Sequence, residues 1–132
     1  MKLVSYETKG AAGFGALIAD GIVALAPRMR GIASLRGLLA ADRVAEAAAI
    51  AAAAVPDHRL DAVTLLPPIP DPDKIICVGL NYRDHVSETG RTVTEKPVLF
   101  ARFAGSQVAH GQPMVKPAVS DEFDYEGELA VV

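Results

Sequence analysis

The chain has 132 residues, enough for one ordinary domain or for a small domain and part of another. A hydrophobic share of 51% against 22% charged residues excludes a disordered chain, and a net charge of -3 argues against a partner held through phosphate contacts. No apolar run reaches the roughly 18 residues of a membrane-spanning helix, and Met1 to Glu7 does not read as a signal peptide.

Residues 1–26 read as a small antiparallel β unit. Lys2 to Tyr6 alternates loosely, Phe14 to Ala19 is apolar, and Asp20-Gly21 is a hairpin turn before Ile22 to Leu25. Gly10, Gly13 and Gly15 resemble a phosphate loop only superficially. They lack a long preceding strand, a following helix and a Lys-Ser/Thr pair, so they read as loop and strand. Residues 34–55 read as helix, with Ser34 as N-cap of a first short piece and an Ala-rich run from Asp42 to Val55 that Pro56 ends. The few bulky positions in that run predict close packing through alanines. Thr64 to Leu66 reads as a short strand.

Pro67-Pro68-Ile69-Pro70-Asp71-Pro72 is a stiff connector and marks a boundary. The expected class is α+β: a small N-terminal α/β domain over 1–69, with β-hairpins and the Ala-rich helix, then a mainly β part over 70–132. In the second part Lys74 to Gly79 reads as a buried strand, with Gly79 allowing a sharp turn. Tyr82 to Glu88 suits a short helix closed by Gly90. Pro97 to Ala101 reads as a second buried strand, 103–112 as a loop, 113–115 as a short strand and 117–122 as a turn.

Phe123 to Val132 reads as a strand. Its period of two places Asp124, Glu126 and Glu128 on one face. Three like charges that close repel, and a divalent cation with oxygen ligands would relieve them. The competing reading is an exposed edge strand whose charges prevent aggregation. Carboxylate donors favour Mg2+ or Mn2+, with Ca2+ possible, over zinc. The pattern breaks off at Val131-Val132 inside an apolar run, so the chain is expected to be part of a longer protein.

Other candidates lie upstream. His85 and Glu88, three apart on a helix, share a face; the Glu could orient the imidazole as a general base, or both could be plain surface residues. Arg83 and Arg102 could hold a substrate carboxylate through paired bonds, or be ordinary surface charges. His58 and His110 read as solvated. Cys77, inside an apolar strand, reads as an inert core thiol, and a lone cysteine fits a reducing cytoplasm. Ser106 has no nucleophile-elbow pattern around it.

Three motifs then occur in one order: Ile76-Cys77-Val78-Gly79-Leu80-Asn81-Tyr82-Arg83-Asp84-His85 with Glu88, Lys96-Pro97-Val98-Leu99-Phe100, and Asp124-Tyr125-Glu126-Gly127-Glu128-Leu129. Together they resemble the fumarylacetoacetate hydrolase family, over about Pro70 to Val132. The resemblance implies a rolled β-sheet catalytic domain, usually a homodimer, with a Mg2+ or Mn2+ site. It implies that Glu126 and Glu128 are metal ligands, with no ligand role for Asp124, and that His85 and Glu88 form a catalytic dyad. Arg102 stands near the place of a family Lys beside the substrate. The family's third carboxylate ligand lies beyond the Glu-x-Glu strand, so another chain would have to supply it, or the fragment is inactive. The implied function is metal-dependent hydrolase or lyase chemistry on a 2-oxo acid or 1,3-dicarbonyl compound: C–C cleavage, decarboxylation or isomerisation. The alternative is a non-catalytic metal-binding or oligomerisation fragment of such an enzyme.

Overall fold

A computed structural model describes residues 1–90 and 95–132. The first part is an antiparallel sheet of β1 (Lys2–Thr8), β2 (Ala11–Ile18), β3 (Gly21–Ala24), β4 (His58–Arg59) and β5 (Thr64–Leu65), in the order β4-β3-β2-β1-β5. The β1–β2 register brings Thr8 opposite Ala11, leaving Lys9-Gly10 as a two-residue turn. Both turn residues have positive φ, 49° and 76°, the type I′ requirement.

The second hairpin is displaced by one residue from its expected place. Ile18 pairs with Gly21, so the turn is Ala19-Asp20, with Ala19 at φ 50°. Gly21 already belongs to β3. A Cβ there would lie 2.5 Å from Pro56 Cβ, so its glycine serves close approach rather than the turn. Gly13, opposite Tyr6 in register, is covered by the Tyr6 ring.

Two helices follow, α1 (Leu35–Ala40) and α2 (Val44–Ala53). Ser34 caps α1, its Oγ accepting from the Gly37 amide at 3.0 Å. The expected single run from Asp42 starts instead at Val44, because Asp42 takes a left-handed φ of 51° and breaks the helix. Phe14 and Ala16, two apart on β2, share a face. They form the core with Leu25, Met29, Leu35 and Leu38, and with Ala47 and Ala51 of α2. The Ala-rich helix thus packs closely, as expected. Ile69 belongs to this core and Ser5 Oγ donates to Pro68 O at 2.7 Å, so the proline-rich segment begins against the first sheet.

The second part holds β6 (Ile75–Gly79), α3 (Arg83–Glu88) and β7 (Val98–Arg102), with β6 and β7 paired antiparallel from Ile75–Arg102 to Gly79–Val98. Two expectations fail here. The apolar runs predict two buried strands, yet Ile76 and Leu99 are each 59% exposed. Burying a strand on both faces needs a layer on each, and this two-stranded ribbon lacks one among the described residues. Residues 113–115 and 123–132 are not strands either. A strand exists through its ladder, and no strand of the described residues pairs with them. Leu129, Val131 and Val132 are exposed.

Candidate active-site groove

The groove forms where β6 gives way to α3. The sharp turn expected at Gly79 falls one residue later. Leu80 carries a φ of 58°, a left-handed conformation that costs an L residue about 1 kcal/mol. Gly79 itself has room for a Cβ at 3.4 Å from Val98. Tyr82 is the N-cap of α3, and Gly90, at φ 64°, follows its end as expected. Val86 is buried beneath the helix, which turns His85 outward.

His85, Tyr82, Phe100, Asp124, Glu126 and Glu128 all line one groove of about 630 Å³. The acidic segment thus reaches the His85 side without forming a strand. Asp124 turns back on its own backbone, accepting from the Tyr125 amide at 2.8 Å. The expected strand is not formed among the described residues, yet all three carboxylates line the one groove.

Glu126 and Glu128 lie close enough to act on each other. The Glu126 carboxyl is held above the ordinary carboxylate range. Loss of surrounding water comes first, then a hydrogen bond with Glu128 and the charges of Glu128 and Asp124, with Arg102 opposing them. Glu128 is half-buried. Two neighbouring carboxylates are oxygen donors that a hard divalent cation fits. They are two ligands of a set, because among the described residues no three His, Cys, Asp or Glu side chains stand together as a metal site.

His85 Nδ1 stands 3.8 Å from Glu88 Oε2, with both side chains largely exposed. The pair shares a face as the spacing predicts, but 3.8 Å is an ion-pair distance and too long for a hydrogen bond. Glu88, Arg83 and Arg102 do not line the groove, and Arg83 is exposed. Arg102, at the end of β7, is half-buried and close enough to act on the charge of Glu126; its Nη2 lies 3.5 Å from Ser106 O.

Residues 74–132 match the profile of the family described as fumarylacetoacetate (FAA) hydrolase C-terminal. Over those residues the chain is similar to the fumarylacetoacetate hydrolase family. A mitochondrial oxaloacetate tautomerase of Homo sapiens is 44% identical over 81 residues, 61% of this chain and 26% of the relative. An uncharacterised protein of Archaeoglobus fulgidus is 48% identical over 73 residues, 55% of this chain and 29% of that protein. Among solved structures, an HpcE-type protein of Mycobacterium smegmatis aligns with a TM-score of 0.60 and 31% identity, over 77% of this chain and 36% of that one. The matched regions cover about a quarter to a third of these proteins' lengths.

Sequence reasoning missed two residues. Tyr82 Oη accepts from the Leu129 amide at 3.1 Å, tying the acidic segment to the start of α3. Asp57 pairs with Arg28 at 2.6 Å and accepts from the Ala24 amide at 2.8 Å, joining β3 to the approach to β4. Asp57 follows a proline in a polar stretch and carries no local cue to its role. Tyr82 lies inside the motif and could have been singled out as a polar aromatic beside a His. His58, expected to be solvated, is half-buried with its ring 5.4 Å from that of Tyr6.

Proposed function

We propose that this chain contributes the base and two metal ligands to a metal-dependent enzyme acting on a 2-oxo acid or a 1,3-dicarbonyl compound. The observation that carries the reading is the shared groove, which His85 enters from α3 while Glu126 and Glu128 enter from the C-terminal segment. Glu126 and Glu128 would hold Mg2+ or Mn2+. When bound, such an ion supplies Lewis-acid polarisation of the substrate's carboxylate and adjacent carbonyl oxygens.

His85 moves the proton. Its imidazole takes a proton from the carbon between two carbonyl groups and returns it to oxygen, or takes one from water that attacks a carbonyl. Glu88, one helical turn along, steadies the protonated imidazole and closes on Nδ1 when the substrate is seated. Arg102 is the better placed of the two arginines to bind a substrate carboxylate, since it already acts on Glu126. Both arginines would reach the substrate from outside the groove lining.

Relatives named oxaloacetate tautomerase weigh towards proton movement at carbon over hydrolysis or decarboxylation. The working form is proposed to be a cytoplasmic homodimer; sedimentation of the intact protein at the mass of a single chain would contradict the dimer. The test of the reaction is a panel of 2-oxo acids offered to the intact protein with Mg2+ or Mn2+. Glu126→Ala should abolish metal-dependent turnover, and His85→Ala should lower it by about 10²- to 10⁴-fold. Undiminished turnover in Glu126→Ala would sink the assignment.

A further inference from the structure

We propose that Tyr82 is a positioning residue whose hydroxyl holds the carboxylate segment against the start of the His85 helix. This rests on the functional reading above for its purpose, but the contact stands independently of it. Tyr82 Oη accepts the Leu129 amide at 3.1 Å, across 47 positions of sequence. Leu129 directly follows Glu128, and Tyr82 precedes His85 by about one helical turn. A single bond therefore joins the backbone that carries two carboxylates to the backbone that carries the imidazole.

The neighbouring polar contacts do not make this connection. Lys116 pairs with Asp121, Ser120 Oγ accepts from the Glu122 amide, and Asp124 accepts from the amide next to it. Each folds the segment on itself. The Leu129 amide is outside any ladder, and a tyrosine hydroxyl accepts from it while leaving its own proton to donate elsewhere. With the tie made, the gap between His85 and the Glu126–Glu128 pair is set before substrate arrives. Without it, the acidic segment can move relative to the imidazole, and a small misplacement of a reacting group lowers the rate of proton transfer.

The experiment uses the 132-residue chain and Tyr82→Phe, which deletes the hydroxyl and keeps the ring. Amide hydrogen exchange at Leu129 is followed by NMR, with the β1 and β2 amides as the reference for an intact fold. Exchange at Leu129 should quicken by about twofold to tenfold, the range that one ordinary neutral hydrogen bond gives. In parallel, substoichiometric Mn2+ is added and broadening of the His85 ring signals is measured. Wild type should show it, Glu126→Gln should abolish it, and Tyr82→Phe should weaken it. Unchanged Leu129 exchange in Tyr82→Phe overturns the tie. Faster exchange with undiminished His85 broadening overturns the positioning role. Absence of broadening in wild type, or its persistence in Glu126→Gln, defeats the metal reading instead and leaves Leu129 exchange to decide the tie.

Discussion

Asp57 shows how much one side chain can organise. Its carboxylate takes the Ala24 amide and both terminal guanidinium nitrogens of Arg28, and the same oxygen that meets Ala24 lies 2.6 Å from Arg28 Nη1. The Arg28 hydrogen bond, followed more weakly by the Ala24 amide, holds the Asp57 carboxyl below its ordinary range, with partial burial opposing. A carboxyl depressed in the folded state stabilises the fold above the unfolded value of about 3.9, and that contribution is lost as pH falls through the lower folded value. Thermal melts in acid should therefore show the wild-type chain losing stability below about pH 4. Asp57→Asn should lose less over the same interval. Equal losses in the two proteins would remove Asp57 from the account.

At the scale of elements, the same residue type acts in opposite ways at two positions. Gly15 of β2 faces Val23, and a Cβ there would lie 2.4 Å from the Val23 carbonyl oxygen. Backbone cannot yield as a side chain does, so Gly15→Ala should cost about 1–3 kcal/mol, as overpacked cores do. Gly37 lies inside α1, where an added Cβ would meet only Ser34 Oγ, at 3.4 Å. There Gly37→Ala should stabilise by about 0.5–1 kcal/mol, the helix-interior cost of glycine. Urea denaturation of both variants tests the contrast, and a shift in the same direction for both would contradict it.

The elements also show what the sequence could reveal. The first β unit, the Ser34 cap and the helix ending before Gly90 rest on local chemistry, and each is legible in the residues. The place of the second turn is not, because Asp20-Gly21 imitates a turn while Gly21 is needed against Pro56, far along the chain. The acidic segment is legible as chemistry and illegible as structure. Its alternation suggests a strand, but a strand needs a partner that the described residues do not provide. The groove still forms, because Tyr82 and the Leu80 turn bring that segment to His85 by means that periodicity does not encode.

For the whole molecule, stability is unevenly distributed. Beyond Ile69, Val86 is the buried hydrophobic residue among those described, whereas the core of Phe14, Leu25, Met29 and Leu38 lies wholly in the first part. Phe103, Val119, Leu129 and Val131 are almost fully exposed. Few buried contacts mean local opening at low free energy. Limited proteolysis followed by mass spectrometry should cut first within 103–132 and leave a resistant fragment that retains β1 through β5. Earliest cleavage inside the first sheet would contradict this distribution.

The same unevenness gives the functional claim its sharpest form, since the two carboxylates belong to the weakly held part and must still act together. Calorimetric titration of the chain with Mn2+ addresses this directly, because binding requires no substrate and no turnover. The account predicts one saturable site in the wild-type chain, and its loss in both Glu126→Gln and Glu128→Gln. Saturable binding that survives both substitutions would contradict the assignment of Glu126 and Glu128 as the metal ligands.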